Sequence, residues 1–177
     1  LTHAFRSGFV SHLRSHFFRR LNAVVVPGEA AGLAIRDMNI PDEKVFVGFN
    51  AVNSENFLAP AADEYSPFSG HTFIYVGQLI KRKNVASLLA AFALIAESQD
   101  KLILVGDGPQ KSKLISLALA LGLGGKVDFV GSVANAKIND FFQQSQTLVL
   151  PSIEEVWGLV VNEALLAGLH VVVSDKA

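Results

Sequence analysis

The sequence predicts an α/β fold whose centre is a doubly wound parallel sheet between about residues 71 and 177. Five short apolar blocks lie in this region, at 73–76, 102–105, 127–130, 147–150 and 170–173. Their residues do not alternate with polar ones, which is typical of strands buried on both faces of a parallel sheet. Segments with helical periodicity separate the blocks, so strand and helix alternate as the crossover connections of this fold class require.

The chain opens with a segment that is predicted to be a basic amphipathic helix over residues 5–21. Residues 1–28 contain no acidic side chain. Apolar residues recur at every fourth position, at Phe5, Phe9, Leu13, Phe17 and Leu21. Such a helix either packs on the rest of its own folded unit or lies on an anionic membrane surface, and both roles stay open. Its arginines and serines also resemble a transit peptide, which the strand that follows at once disfavours.

A partial folded unit is predicted over residues 1–52. Apolar strands at 23–26 and 45–49 enclose a helix from about Glu29 to Met38, which ends before Pro41. Residues 53–70 follow, with two prolines, several serines and no hydrophobic period, and they are predicted to form a linker. We therefore expect two incomplete domains, 1–52 and 71–177, in a chain truncated at both ends.

Four helices are predicted between the strands of the sheet. The first two have apolar residues three and four positions apart along one side. These residues are Val85, Leu88, Leu89, Phe92 and Ile95 in the first helix and Leu114, Leu117, Ala118 and Leu121 in the second. The third helix begins at about Asn135, a suitable N-cap, and the fourth covers about residues 158–167.

The composition excludes several classes of protein and site. The chain contains no cysteine, which excludes disulfides and thiolate sites and favours a reducing, cytoplasmic location. The formal net charge of -1 provides no field for binding nucleic acid. Mean hydropathy is high at +0.37, but no apolar run approaches the roughly 18 residues of a membrane-spanning helix. The sequence has no D-x-D pair to hold a divalent ion, so no metal site is predicted.

The candidate site lies at the carboxyl ends of the strands, where open parallel sheets bind their ligands. After the first strand come Gly77 and Gln78, and then the cations Lys81, Arg82 and Lys83 just before a helix. The helix dipole opposes cations at that end, and a bound anion such as a phosphate would compensate them. A solvated basic turn explains the same residues equally well.

Glycines also follow the second and third strands. The run Gly-Asp-Gly-Pro at 106–109 is explained by turn geometry and by proline at a first helical position. It is not the G-x-G-x-x-G fingerprint, which disfavours a nicotinamide-dependent dehydrogenase. Gly131, after the third strand, would let the backbone approach a flat ligand.

The loop after the fourth strand carries two carboxylates, Glu155 and Glu163, placed so that both can face one cleft. Between them, the backbone N–H groups of Trp157, Gly158 and Leu159 open the next helix and suit a diphosphate. Acids near a helix start are ordinary, because the helix dipole stabilises them. Glu163 is harder to explain in this way, since an acid among apolar residues needs a partner or a wet cleft.

Three motifs in this region carry a resemblance to a known family. They are EVWGLVVNE at 155–163, VGQLIKRKN at 76–84 and VGDGP at 105–109. In order and spacing they resemble the donor-binding domain of retaining glycosyltransferases of family 4, which have the GT-B fold of two facing Rossmann-like domains. Residues 24–57 resemble the interdomain stretch of the same family. The resemblance implies a Rossmann-like GT-B C-terminal domain at 71–177 and the end of the N-terminal acceptor domain at 1–52.

The resemblance implies that the diphosphate of a nucleotide-sugar donor binds between two loops. Lys83 would bind it from the loop that begins at Gly77. Gln78 stands where the family usually has an arginine with the same role. On the opposite side, phosphate would be held by the backbone of Trp157, Gly158 and Leu159.

The remaining matching positions imply contacts to the sugars and the base of the donor. Glu163 would accept hydrogen bonds from the ribose. Glu155 would be the catalytic carboxylate, in contact with the transferred sugar beside its anomeric carbon. Gly131 would lie against the base.

The expected function is the transfer of a sugar, as by a hexosyltransferase, from a nucleotide-diphosphate sugar to a glycan, lipid or small-molecule acceptor. Lys83 and the helix amides would stabilise the leaving phosphate and Glu155 the sugar ring, with no cofactor and no metal. Retention of configuration is implied by the family alone. These 177 residues are expected to supply the donor-binding half and to be inactive by themselves.

Two alternatives remain open. One is a noncatalytic module that binds nucleotide or membrane, with a peripheral membrane contact through residues 5–21. The other is a different GT-B enzyme, such as a nucleotide-sugar epimerase.

Overall fold

The structure is a computed structural model that describes residues 8–48, 51–57, 70–155 and 157–176. The chain forms two compact units, Leu1–Ala51 and Val52–Ala177. Each unit has a hydrophobic core of its own. The first is small, and the second contains the predicted sheet.

The first unit consists of a helix followed by a strand–helix–strand arrangement. Its elements are α1 (Phe9–Arg19), β1 (Val24–Val26), α2 (Glu29–Arg36), a 3-10 turn (Asp42–Lys44) and β2 (Val45–Val47). β1 and β2 pair in parallel, with Val24 opposite Val45. The predicted strands and the helix between them are confirmed, while residues 5–7 and 49 lie outside the described residues.

α1 buries a different side from the one that its every-fourth-residue pattern predicts. Phe18, which is not in the pattern, packs against the core of the first unit, and so does Leu21, the last residue of the pattern, beyond the end of the helix. Leu13 and Phe17, by contrast, are 56% and 60% exposed. The end of this segment is held by Lys44, whose Nζ donates a hydrogen bond to the carbonyl oxygen of Leu21 at 3.1 Å. The apolar pattern identifies the side chains, but the tertiary contacts decide which of them are covered.

The second unit is a five-stranded parallel sheet with helices on both faces. Its strands are β3 (Thr72–Val76), β4 (Lys101–Val105), β5 (Val127–Gly131), β6 (Thr147–Leu150) and β7 (His170–Val173). Its helices are α3 (Val85–Ile95), α4 (Lys111–Ala120), α5 (Ile138–Phe142) and α6 (Leu159–Leu166). The strand order is β5-β4-β3-β6-β7, and every neighbouring pair is parallel. The predicted doubly wound fold is confirmed.

Hydrophobic cores lie on both faces of this sheet. Tyr75 of β3 belongs to the core that includes Leu89 of α3 and Leu114 of α4. Its neighbour Ile74 belongs to the core that includes Phe142 of α5. Successive residues of a strand point to opposite faces, so a central strand with two covered faces must be apolar throughout. This explains why the blocks show no alternation.

The two edge strands are more exposed than their apolar sequences predict. Val130 of β5 is 37% exposed, and Val172 and Val173 of β7 are 55% and 45% exposed. An apolar block reports the composition of a strand but carries no information about its position in the sheet. Burial on both faces is therefore correct for β3 and β4 and wrong for β7.

The predicted linker, residues 53–70, begins with a segment that packs on the second unit. A 3-10 turn covers Ser54–Phe57, and Phe57 is only 1% exposed. The Phe57 ring centroid lies 6.0 Å from that of Phe142 in α5. Residues 54–57 are therefore part of the folded unit, while 58–69 lie outside the described residues.

Candidate functional site

The candidate site lies at the carboxyl ends of β3 and β6, where the strand order reverses. The chain crosses from β3 to β4 on one side and later returns to β6 on the other, and open parallel sheets bind their ligands at such a reversal of strand order. The backbone N–H of Ile153 donates to the carbonyl oxygen of Arg82 at 2.8 Å. Arg82 Nη1 in turn donates to the carbonyl oxygen of Glu154 at 3.3 Å. The two loops singled out in the sequence are thus hydrogen-bonded to each other.

Lys83 and Glu155 form an ion pair across this junction. The ammonium of Lys83 donates to Oε2 of Glu155, and the two side chains are 12% and 8% exposed. The sequence predicts separate roles for these residues and does not predict their contact. A charge pair this deeply buried places one cation and one carboxylate, with fixed geometry, at the point where a ligand is expected.

The backbone of the first loop places Lys83 at this junction. A 3-10 turn covers Lys81–Lys83 and ends at Asn84, which lies in the left-handed region at φ 55 and ψ 33. Asparagine tolerates this region better than most residues. The Oγ of Ser87 donates to Oδ1 of Asn84 at 2.8 Å and stabilises the turn just before α3.

Tyr75 stabilises the predicted phosphate loop through a hydrogen bond to its backbone, a role that the sequence analysis missed. Its hydroxyl donates to the carbonyl oxygen of Gln78 at 2.9 Å, while the side chain of Gln78 is exposed. Burial raises the pKa of Tyr75, the charge of Glu155 raises it further, and Arg82 partly opposes them. The available signal was a tyrosine inside an apolar block, because a buried phenol needs a hydrogen-bond partner.

The glycines after β3 and β4 allow their loops to touch. A Cβ on Gly106 would collide with the carbonyl oxygen of Gly77, and one on Gly108 would lie 2.5 Å from that of Leu79. The N–H of Gly77 donates to Val105 at 2.9 Å. The glycines of the predicted turn at 106–109 permit close backbone packing, but the prediction that Pro109 is the first helical residue is wrong, because the turn continues through Gln110 and α4 begins at Lys111.

Gly131, at the end of β5, is hydrogen-bonded to the loop after β4. It is buried, and its carbonyl oxygen accepts a hydrogen bond from the N–H of Gly106 at 2.8 Å. A Cβ there would lie 3.5 Å from Nζ of Lys111, which forms an ion pair with Asp107 at 2.9 Å. The backbone of Gly131 is thus at the carboxyl edge of the sheet, near a cation that the sequence analysis did not single out.

α6 begins beside Glu155 and carries the second predicted carboxylate. Gly158, its N-cap, has φ 67, and a Cβ there would lie 3.4 Å from Cγ of Glu155. Leu159 is the first helical residue and Trp157 is partly buried, while Val156 lies outside the described residues.

Glu163 lies one turn inside α6 and is half-buried. Burial raises the pKa of its carboxyl group. Among the residues that the structure describes, no side chain or backbone group donates a hydrogen bond to this carboxylate. An acceptor in this condition is suited to donors supplied by a ligand.

Two further findings bear on the predictions about metal and membrane. In the described ranges, no group of three or more His, Cys, Asp or Glu side chains is arranged to hold a metal ion. None of the helices in the same ranges is long and apolar enough to cross a membrane.

Comparisons with curated proteins identify relatives that match 77% of the chain. The chain is 31% identical over 147 residues to the uncharacterized glycosyltransferase MJ1607 of Methanocaldococcus jannaschii, covering 77% of this chain and 38% of that protein. It is 28% identical over 137 residues to the O-antigen chain mannosyltransferase RfbU of Salmonella typhimurium, covering 77% and 37%. The chain therefore spans less than two-fifths of the length of these relatives.

Comparison with solved structures agrees on the fold. The Anabaena protein Alr3699/HepE, solved in complex with UDP, superposes with a TM-score of 0.80 at 21% identity, covering 95% of this chain and 49% of that one. Sucrose-phosphate synthase from Thermosynechococcus elongatus superposes with a TM-score of 0.78 at 25% identity, covering 95% and 44%.

The match to a sequence family covers both loops of the candidate site. Residues 66–177, well over half of the chain, match the family described as Glycosyl transferases group 1. Lys83, Glu155 and Glu163 all lie within the matched residues. The chain belongs to the glycosyl transferases group 1 family.

Proposed function

We propose that this chain supplies the donor-binding half of a glycosyltransferase that moves a sugar from a nucleotide-diphosphate sugar to an acceptor. The observation that carries the proposal is the convergence of Lys83, Glu155 and the start of α6 at the switch point of the sheet. These groups match the two charges of the reaction: the negative charge of the departing diphosphate and the positive charge of the oxocarbenium ion that develops on the sugar.

The diphosphate would bind between Lys83 and the N-terminus of α6. The N–H groups near Trp157, Gly158 and Leu159 and the positive end of the helix dipole attract phosphate oxygens. The loop from Gly77 through Gln78 closes the other side. Its backbone is held by Tyr75, so little reorganisation is needed on binding.

The nucleoside would bind further along the same edge. The carboxylate of Glu163 accepts hydrogen bonds from the ribose hydroxyls, and its lack of a donor among the described residues supports this role. The base lies against Gly131, which has no side chain to keep a flat ring away from its backbone.

Glu155 acts on the transferred sugar. Departure of the diphosphate leaves positive charge on the sugar ring and negative charge on the phosphate. Glu155 stabilises the positive charge on the sugar and Lys83 the negative charge on the phosphate, so each member of the ion pair stabilises one of the two charges that form as the bond breaks. Retention of configuration and membership of family 4 are parts of this proposal, and transfer of a hexose is another.

The identities of the neighbours support a nucleotide-sugar donor. The Anabaena protein has been solved with UDP-glucose, and one relative is named as a mannosyltransferase. Another, 23% identical over 94% of this chain, is the alpha-monoglucosyldiacylglycerol synthase of Streptococcus pneumoniae. A hexose donor and a glycan, lipid or small-molecule acceptor are the corresponding proposals for this chain.

The first test is thermal stabilisation of the chain by UDP-, GDP- and ADP-sugars, since a ligand that binds only the folded state raises Tm. Calorimetry then compares Glu163→Gln and Lys83→Met with wild type. Each should weaken nucleotide binding by about tenfold to a hundredfold, as expected for one hydrogen bond to a charged group. The matched controls are Glu97→Gln and Lys113→Met on the exposed surface.

Two results would contradict the proposal: no nucleotide stabilises the chain, or both site variants bind as wild type does.

Because the chain spans less than two-fifths of its relatives, we also expect these 177 residues to bind the donor without transferring the sugar. Transferase activity of the chain alone would contradict that part.

The exposed side of α1 supports a second role, a peripheral contact with an anionic membrane from the cytoplasmic side. Val10, Leu13 and Phe17 are 57%, 56% and 60% exposed, and the exposed Arg19 and Arg20 follow them. Apolar side chains next to cations are suited to an interface of anionic lipids.

Cosedimentation with phosphatidylglycerol vesicles tests this role. Leu13→Ser and Phe17→Ser should release the chain from the vesicles, whereas Phe46→Ser, an exposed aromatic on β2, should not. Equal recovery with neutral phosphatidylcholine vesicles, or no recovery by either, would exclude an anionic membrane contact.

A further inference from the structure

Ser152 is a buried polar residue that the proposed chemistry does not use. It lies two residues after β6, and none of its surface is exposed to solvent. Its Oγ donates a hydrogen bond to Oε2 of Glu155 at 3.2 Å. Buried hydroxyl groups are nearly always hydrogen-bonded, and this one has a carboxylate of the candidate site as its partner.

The main chain of Ser152 is held from the neighbouring strand. The Oγ of Ser174, the residue after β7, donates to the carbonyl oxygen of Ser152. The N–H of Ser174 donates to the carbonyl oxygen of Leu150 at 3.1 Å. The end of β7 thus fixes the backbone from which the Ser152 hydroxyl reaches Glu155.

Two donors from different strands meet at one oxygen of Glu155. Lys83 approaches Oε2 from the loop after β3, and Ser152 approaches it from the loop after β6. If Lys83 binds the donor diphosphate, its ammonium donates hydrogen bonds to phosphate oxygens in addition to Glu155 or in place of it. The bond from Ser152 does not depend on the ligand, so it keeps the carboxylate in place when the cation is drawn away.

We propose that Ser152 is a positioning residue for Glu155 and that Ser174 holds Ser152 in the geometry that this requires. The inference rests on the proposed function, in which Glu155 contacts the transferred sugar. Ser152 touches neither sugar nor phosphate. Its effect is confined to interactions that Glu155 makes, and this separates it from a residue that only stabilises the fold.

The test measures how much the sugar adds to nucleotide affinity. Calorimetry gives the affinity of the chain for UDP-glucose, GDP-mannose and ADP-glucose and for UDP, GDP and ADP. The association constant of each sugar nucleotide, divided by that of its parent diphosphate, reports the contacts made to the sugar. In wild type this ratio exceeds one for at least one pair. Ser152→Ala should lower that ratio by about fivefold to tenfold, the loss of one hydrogen bond to a charged group, and leave the diphosphate affinity unchanged.

Two variants separate positioning from stability. Ser152→Thr keeps the hydroxyl and should restore most of the ratio. Ser145→Ala is the matched control: Ser145 is 3% exposed and its Oγ donates to the carbonyl oxygen of Phe141 at 2.9 Å, just before β6 begins at the opposite end of the strand. It should lower Tm and leave the ratio as in wild type.

The outcomes distinguish this inference from the function on which it rests. If wild type binds no nucleotide, the proposed function fails and the role of Ser152 fails with it. If nucleotides bind but wild type shows no gain from any sugar, or Ser152→Ala keeps the gain, only the inference about Ser152 is overturned. An equal loss of sugar-nucleotide and diphosphate affinity also overturns it, since that is the result of a merely structural role.

Ser174→Ala provides a second measurement if Ser152→Ala does not fold, as judged by circular dichroism. Removal of the Ser174 hydroxyl loosens the Ser152 backbone without leaving a cavity next to Glu155. The ratio should fall by about twofold to threefold, less than for loss of the direct bond. An unchanged ratio in a folded Ser174→Ala variant would overturn the role given to both serines.

Discussion

Lys83 and Glu155 are 72 positions apart in the chain, and their side chains are 12% and 8% exposed. Removal of one member of a buried ion pair leaves the other charge without its partner in a medium of low dielectric constant. An exposed pair costs far less to break, because water solvates the charge that remains. The position of this pair therefore makes its residues important for stability as well as for the proposed binding.

We predict that Lys83→Met lowers the free energy of unfolding by about 3 kcal/mol. Urea denaturation measures the loss. Lys111→Met, which breaks the more exposed pair with Asp107, should lower the free energy of unfolding far less, because water solvates the carboxylate that remains. Adding Glu155→Gln to Lys83→Met should restore most of the stability, because no carboxylate charge is then left without its cation. Equal costs for Lys83→Met and Lys111→Met would contradict this account.

Glu163 is expected to make stability depend on pH. Burial raises its pKa, so over the interval between its ordinary and its raised pKa the folded chain keeps a proton that the unfolded chain has released. The contribution of Glu163 to the free energy of unfolding is therefore complete below the ordinary pKa and is lost as pH rises through the interval.

Glu163→Gln should remove this loss. The free energy of unfolding of the variant relative to wild type should rise as pH increases from the ordinary pKa of glutamate through the raised pKa of Glu163, and the variant should be the more stable at neutral pH. Denaturation curves at a series of pH values provide the measurement, with Glu97→Gln as an exposed control. A difference that stays constant or falls with pH would show that Glu163 is not desolvated. Greater stability with weaker nucleotide binding would indicate that the carboxylate is kept for function.

At the scale of elements, the alternation of strands and helices could be read directly from the sequence. The predicted block at 147–150 and the predicted strand at 170–173 coincide with β6 and β7. The exposure of Val172 and the burial of Phe57 could not be predicted, since both depend on neighbours distant in the chain. Periodicity is a local property, whereas position at the edge of a sheet is not.

The contact between the loops after β3 and β4 leads to a prediction at this scale. Gly106→Ala should lower the free energy of unfolding by more than about 2 kcal/mol, because its Cβ would meet the carbonyl oxygen of Gly77. Gly124→Ala is the control: a Cβ there meets nothing within 4 Å, and the change should stay within about 0.5 kcal/mol. Thermal or urea denaturation compares the two. Similar costs would mean that the loops are not closely packed.

At the scale of the whole molecule, the chain divides into two units with separate cores. All residues proposed to contact the donor lie between Gly77 and Glu163, within the second unit. The exposed apolar residues of α1 lie in the first. The two proposed roles, nucleotide binding and membrane contact, therefore belong to different units.

A chain that begins at residue 52 should retain nucleotide affinity within about twofold of the full 177 residues and lose recovery with anionic vesicles. Calorimetry and cosedimentation measure the two properties on the same sample, and circular dichroism confirms that it is folded. A folded second unit that no longer binds the nucleotide would show that residues of the first unit contribute to the site.

The sequence by itself determined the α/β class, the order of strands and helices along the chain and the two loops of the candidate site. Apolar blocks, helical periodicity and turn residues are local signals, and each can be recognised within a short stretch of sequence. Only the tertiary structure decided that Lys83 pairs with Glu155, that Ser152 donates a hydrogen bond to that carboxylate and Ser174 one to the backbone of Ser152, and that Tyr75 donates one to Gln78. The physical reason is that β6 lies beside the central strand β3 in the sheet but is distant from it in the chain, so side chains meet at the ends of these strands through topology rather than through spacing.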